Sequence, residues 1–336
     1  MSDAVISFPF LGISLCPSNT FVLFGHIFYW YGVIIACGFI LAVLYCSRRC
    51  KEFGITADEL IDVLIFAVPI AILGARTYYV IFHYDLYRDN FADVFKVWQG
   101  GLAIYGAIIA AVLTLLIVCR VKKISPLAML DACSFGLLIG QLVGRWGNFM
   151  NREAYGYETK IFCRMGLTEN GQTIYVHPTF LYESLWNLTG LIILHILSKS
   201  KKHPRKFDGQ YFLYYAGWYG LGRMFIEGLR TDSLYIGSSG IRVSQLLAAC
   251  SLIAVIIILL VVFKTAKLSP EKLWVNRRKA LLAAQEEAEA REEAEDTKTS
   301  ETEAKNEAQT ETQNDPSAKN EVPEPPAPMD KKQDSE

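Results

Sequence analysis

Arg145, Asn148, Asn151, Arg152 and Glu153 close an apolar run in the segment 136–156, GLLIGQLVGRWGNFMNREAYG. A guanidinium beside hydrocarbon is costly and marks a functional site by default. On a continuing helix Arg145 and Asn148 share a face at i, i+3, and Asn148 and Asn151 repeat that spacing. A second set, Tyr219, Arg223 and Glu227, falls at i, i+4, i+8 on one helix face. Arg223 and Glu227 can pair there, which lowers the cost of holding either near a membrane. Arginine offers a planar fork of donors that matches phosphate oxygens, and it stays charged when partly desolvated. The chemistry open to such a set is the binding of an anionic headgroup.

Other polar residues fall on the same side of the chain's apolar segments. Trp30 and Tyr31 lie in the outer half of the first apolar segment. Trp30 suits an interfacial anchor, whereas a phenol inside hydrocarbon calls for a hydrogen-bond partner. Arg76 ends the second segment and reads as a boundary residue whose charge snorkels to water. Tyr105 stands about one turn inside the third. His177 and Pro178 open the fifth, and Glu183 sits inside its apolar run. No P-loop, HExxH or GxSxG pattern occurs.

The elements that must position these residues are membrane helices. The chain has 336 residues, 52% of them hydrophobic. A span needs about 20 predominantly apolar residues. Seven segments qualify, near 21–46, 60–82, 101–119, 127–143, 180–197, 210–225 and 243–263, with glycine and polar residues diluting the fourth and sixth. Gly136, Gly140 and Gly144 recur every four residues and let a neighbouring backbone approach one face of the fourth. Basic residues crowd alternate loops: Arg48, Arg49 and Lys51; Arg120, Lys122 and Lys123; Lys199 to Lys206; then Lys264, Lys267, Lys272 and Arg277 to Lys279. The intervening loops carry fewer cations, balanced by Asp85, Asp89, Asp93 and Glu158. The positive-inside rule then places the amino terminus outside, the carboxyl terminus in the cytoplasm and Arg145 near the outer face.

The expected fold is an all-α polytopic membrane protein of about seven helices. A small extracytoplasmic element, with room for short strands, is expected in the loop 150–179 between helices four and five. Residues 1–267 read as the membrane-embedded domain and 268–336 as a charged cytoplasmic tail. A helix fits 279–291 of that tail, and from Glu292 onward the composition reads as disordered. The first 20 residues carry no Lys or Arg, unlike a signal peptide, so the first helix is expected to be retained.

The eight cysteines show no CxxC and no histidine at metal-ligand spacing, so no metal site is expected. Most sit in or beside apolar segments as packing residues. Cys16 and Cys163 fall on the same side, which leaves a disulfide between them open. The net charge of −1 hides a basic membrane portion and an acidic tail, and nothing in it singles out nucleic acid as a partner.

GRWGNFMNREAYG, residues 144–156, resembles the signature of the prolipoprotein diacylglyceryl transferase family. The resemblance runs from about Trp30 to Phe263 and includes Trp30 to Gly32, Gly74 to Arg76, Gly100 to Gly106, His177 to Glu183 and Tyr219 to Glu227 in order. It implies transfer of the diacylglyceryl group of phosphatidylglycerol to the lipobox cysteine of a prolipoprotein, with release of glycerol phosphate. It implies no cofactor, since the lipid is the activated donor, and a monomeric multi-pass enzyme of the bacterial cytoplasmic membrane. By the same resemblance Arg145, Asn148, Glu153, Gly156 and Tyr219 bind phosphatidylglycerol. Arg145, Arg223, Tyr105, Glu227 and Tyr31 are the catalytic candidates. Many members have histidine where this chain has Tyr105, and a phenol with a pKa near 10 is a poor base unless strongly perturbed. Taken alone, the polar residues also fit an anionic-lipid transporter, which calls for internal repeats and midplane polar groups. A non-catalytic scaffold using the acidic tail fits them as well.

Overall fold

A computed structural model describes residues 5–88, 90–169, 171–235, 240–266 and 268–313. Asp89 and Lys267, counted above among the loop charges, and residues 314–336 of the tail lie outside the described residues. The chain divides into two compact units, Met1–Lys279 and Ala280–Glu336.

The first unit is mostly helical. Its helices are α1 (Trp30–Arg49), α2 (Ala57–Phe82), α3 (Ile104–Val121), α4 (Pro126–Asn151), α5 (Thr179–Lys199), α6 (Gln210–Ile226) and α7 (Val243–Thr265). All but α6 are long and apolar enough to cross a membrane. At 17 residues α6 falls short of that length, so among the described residues six helices meet the requirement rather than seven. They turn large apolar side chains outward, Ile65 at 59% exposure, Leu73 at 62% and Ile117 at 62%. Such a surface is stable against lipid and would aggregate in water.

The structure corrects the all-α expectation. Strands β1 (Val5–Phe8), β2 (Ile13–Leu15), β5 (Met165–Glu169) and β6 (Gln172–Val176) form one antiparallel sheet in the order β2-β1-β5-β6. Strands β3 (Thr20–Leu23) and β4 (His26–Tyr29) form a separate hairpin. The first helix therefore starts at Trp30, because Phe21 to Tyr29 are spent on the hairpin. The element between α4 and α5 is likewise not built from its own loop alone. Its sheet borrows β1 and β2 from the amino-terminal segment, and Ile6, Phe149, Met165, Leu167, Val176 and Phe180 form its core.

The two ends of the bundle differ in chemistry. At one end Arg49 of α1 donates to Ser198 of α5 at 2.7 Å, Lys199 pairs with Glu52 at 2.5 Å, and Lys122 pairs with Asp62 at 2.5 Å. The basic loops thus gather together and are partly neutralised by local carboxylates. Buried Asp131 of α4 accepts from the Gly209 and Phe212 amides at 2.8 and 2.9 Å and so caps α6 from a neighbouring helix. The sheet lies at the opposite end, where α4 finishes and α5 starts.

Helix packing explains the glycine motifs. A Cβ on Gly136 would lie 2.8 Å from Cys46 Sγ, and one on Gly144 would lie 3.3 Å from Ile35, so both face α1. A Cβ on Gly140 would meet nothing within 4 Å, so this member of the stripe is not a contact. Gly74 and Gly106 let α2 and α3 touch backbone to backbone, since a Cβ on Gly106 would lie 2.3 Å from the Gly74 carbonyl. Between α1, α2, α3, α4 and α6 lies an apolar cavity of about 400 Å³ that Phe39, Leu64, Ala111, Leu137 and Tyr215 help to line.

Helix α8 (Trp274–Gln313) continues well past Glu292, which corrects the expected start of disorder. Alternating Glu, Lys, Arg and Ala support a solvated helix without a core. Its side chains from 281 to 293 are exposed throughout. Within the first unit Trp274 donates to the Gly54 carbonyl at 3.0 Å, and Arg278 pairs with Glu59 at 2.6 Å. Cys16 and Cys163 are both free thiols.

Candidate functional site

Three arginines from separate elements meet one carboxylate, Glu183 of α5. Arg145 reaches its Oε2 at 2.5 Å, while Arg223 and Arg230 donate to its Oε1 at 3.1 Å each. Arg223 also stands 2.6 Å from Glu227 Oε2, an ion pair that is not aligned as a hydrogen bond. Glu227 belongs to the short 3-10 turn after α6, yet it keeps the i, i+4 relation read from the sequence. Arg230 is further held by Asp232 through bonds of 2.8 and 2.6 Å. That guanidinium holds the Asp232 carboxyl below the usual carboxylate range.

Burial grades these groups. Side-chain exposure is 6% for Glu183 and 2% for Glu227, but 23% for Arg145. An incoming anion therefore reaches Arg145 most readily. The carboxylates behind it keep three like charges together at tolerable cost, because each guanidinium has an opposite charge in contact.

The end of α4 sets Arg145 in place. Its guanidinium also donates to Asn148 Oδ1 at 3.0 Å. Asn148 in turn donates to Glu153 Oε1 at 2.9 Å, and Asn151 reaches the same oxygen at 3.4 Å. The helix stops at Arg152, whose φ of 55° turns the chain, and Ala154 repeats the turn at 58°. Non-glycine residues adopt that region only when the surroundings fix them. Here the Arg152 side chain donates to the Pro17 carbonyl at 2.5 Å, and Thr179 Oγ1 donates to the Ala154 carbonyl at 2.5 Å. The chain then passes Gly156, where a Cβ would come within 2.6 Å of His177 Cβ and 2.8 Å of the Leu229 carbonyl. Only glycine fits this seam, where Tyr157 donates to Leu229 at 2.9 Å and the Arg230 segment is stitched to the signature.

The remaining predicted residues divide. Tyr31 lies in the first turn of α1 with its ring against Gly147, where a Cβ would sit 2.8 Å from the ring. It is 37% exposed and has no hydrogen-bond partner among the described residues. Tyr219 stacks on Tyr215 at 6.1 Å, one turn before Arg223 on α6. Tyr105 is not drawn into the cluster; it packs beside Tyr78 of α2 at 6.5 Å and makes no hydrogen bond among the described residues. Arg76 corrects the snorkelling expectation. It is 5% exposed and donates to the carbonyls of Asp93, Val94, Gly100 and Gly101 at 2.6 to 3.0 Å, pinning the loop before α3. His177 faces Tyr182 at 3.4 Å, and burial pulls its imidazole below its usual value.

Sequence reasoning passed over the roles of Glu183 and Arg230. Glu183 carried a signal, since a lone carboxylate in an apolar run is functional by default. Arg230 carried none, because only folding brings the segment after α6 back onto α5. Among the described residues no cluster of histidine, cysteine and carboxylates could hold a metal.

Comparison with known proteins bears on this arrangement. The family description of prolipoprotein diacylglyceryl transferase matches residues 19–262, which include every residue of the arginine cluster. A phosphatidylglycerol–prolipoprotein diacylglyceryl transferase of Listeria welshimeri serovar 6b is 45% identical over 249 residues, covering 72% of this chain and 87% of the relative. A protein of that name from Finegoldia magna is 44% identical over 238 residues, covering 71% and 92%. Another, from Limosilactobacillus reuteri, is 44% identical over 241 residues, covering 69% and 86%. The chain belongs to the prolipoprotein diacylglyceryl transferase family.

Proposed function

We propose that this chain transfers the diacylglyceryl group of phosphatidylglycerol to the cysteine thiol of a lipobox-containing prolipoprotein. The reaction breaks the bond from the glycerol carbon to the phosphate oxygen and forms a carbon–sulfur bond. The products are a thioether and glycerol phosphate, and the thiol proton leaves to a base. The observation that carries the reading is the convergence of Arg145, Arg223 and Arg230 on Glu183. As the bond breaks, a phosphodiester with one negative charge becomes a monoester approaching two. Guanidinium groups already held in place stabilise that added charge without reorganising.

Arg145, the most exposed of the three, binds the phosphate, with Asn148 and Glu153 fixing its angle. Arg223 assists from α6, Tyr219 and Tyr31 border the headgroup, and Gly156 keeps the seam closed. The thiolate is the nucleophile, and the arginines lower the substrate thiol's pKa. Glu227 stands in the cluster and is the nearer proton relay; Tyr105 acts only if α2 and α3 bring it closer. The site needs no cofactor.

The site lies at the outer face of a bacterial cytoplasmic membrane. The gathering of the basic loops at the opposite end supports this orientation, with the amino terminus outside and the carboxyl terminus inside. Residues 1–267 form the membrane-embedded transferase domain and 268–336 a cytoplasmic tail, in a monomeric protein. The test is to incubate the purified protein with phosphatidylglycerol vesicles and a lipobox peptide. A diacylglyceryl mass increment on the cysteine is expected; an unmodified peptide with an intact protein refutes the reading.

A further inference from the structure

One helical turn from the arginines lies a second polar layer. Helices α4 and α5 are antiparallel neighbours joined by the Arg145–Glu183 ion pair and by the Ser184 bond to the Leu142 carbonyl at 3.1 Å. Four residues along each helix, on the same two faces and about 6 Å nearer the bilayer centre, stand Gln141 and Asn187. Asn187 is 3% exposed, its Oδ1 is fully buried, and it has no hydrogen-bond partner among the described residues. Gln141 donates its amide to the Tyr215 hydroxyl at 2.8 Å, while its Oε1 is buried and unpaired. Tyr215 also lines the apolar cavity, so this layer lies between the arginines and that cavity. A buried acceptor left without a donor is costly, because it has given up its bond to water and gained none in return. Two of them, from adjacent helices and at one level, ask for donors that the described residues do not supply.

We propose that the Asn187 and Gln141 carbonyl oxygens receive the backbone N–H groups of the extended peptide substrate beside its reacting cysteine. The inference rests on the transfer reading and assigns the second substrate's seat. Displacement at carbon brings the nucleophile to the side opposite the leaving oxygen. With the phosphate on the arginines and the acyl chains running inward, that side faces the amide layer. A peptide carrying a thiol to this depth also brings its N–H groups into hydrocarbon, where water cannot take them. The diacylglyceryl moiety offers only ester acceptors, so it does not satisfy these oxygens.

The test uses the full-length protein in phosphatidylglycerol vesicles with lipobox peptides. Asn187→Leu keeps volume and removes the orphaned acceptor. It is expected to raise KM for the peptide about tenfold, the worth of one hydrogen bond. KM for the lipid and the thermal midpoint are expected to hold or, for the midpoint, to rise. Gln141→Met is expected to show the same split. The substrate-side arm leaves the protein untouched: a peptide N-methylated at the cysteine amide or at the next amide is expected to lose the same factor. That loss is expected to shrink against Asn187→Leu. Parental peptide KM in both arms overturns the inference, as does a rise confined to the lipid KM. A falling midpoint with both KM values raised, together with an unimpaired N-methyl peptide, overturns it as well. If the parent protein transfers nothing to any peptide, the transfer reading fails instead.

Discussion

Glu183→Gln is the substitution that bears most directly on how the site works. Glu183 is 6% exposed in its side chain and touches Arg145, Arg223 and Arg230. Glutamine keeps the size, but one of its two ends becomes an amide donor facing guanidinium donors. Among the described residues, the carboxylates left in contact with the three arginines are then Glu227 and Asp232. Removing one partner from a buried pair costs roughly 3–5 kcal/mol, because the remaining charge is left uncompensated. For a domain of this size that is on the order of 10 °C in the thermal midpoint. Arg145 loses the contact that sets its angle and keeps only Asn148. A misplacement of about 1 Å costs roughly a hundredfold in rate. The assay is transfer to a lipobox peptide, run well below the variant's own midpoint so that unfolding does not enter. Near-parental turnover at a parental midpoint refutes the argument that Glu183 organises the arginines.

Further outcomes follow from the same geometry. Arg145→Lys keeps the charge but cannot span Glu183 and Asn148 at once, so turnover is expected to fall about a hundredfold, or ~3 kcal/mol; turnover within a few-fold of the parent discards the fork argument. Exchanging the pair, Arg223→Glu with Glu227→Arg, sets a carboxylate against Glu183 and is expected to stay inactive; restored transfer means that Arg223 serves only its partner Glu227. Removing residues 280–336 is expected to leave transfer intact, whereas a cut after residue 267 also removes Trp274 and Arg278 from Gly54 and Glu59 and lowers the thermal midpoint. Equal midpoints for the two truncations contradict this. Because Arg230 depresses the folded-state pKa of Asp232, that pair's stabilisation is fully present above the unfolded value of about 3.9 and is lost as pH falls through the folded value. Asp232→Asn is therefore expected to lower the midpoint at neutral pH and to reduce its fall at acidic pH; an unchanged acid profile contradicts the linkage.

The membrane helices and the signature were legible in the sequence because their signals are local. Apolar length marks a span wherever it occurs, and helical spacing alone brought Arg223 to Glu227 at i, i+4 and Arg145 to Asn148 at i, i+3. Short strands were anticipated only in the loop 150–179; β1 pairs with β5 across some 160 residues, and β3 and β4 read as the edge of the first apolar segment. The length of α8 was hidden by composition that suits a solvated helix and a disordered tail equally. The same distinction divides the site. The sequence determined which arginines would be present and that they could hold a phosphate. Only tertiary structure decided that Glu183, about 40 residues from both Arg145 and Arg223, is the carboxylate they share. The same packing brought Arg230 back onto α5 and left Tyr105 beside Tyr78. Charge and spacing are properties of a segment, but a shared counterion depends on where three separate elements end in space.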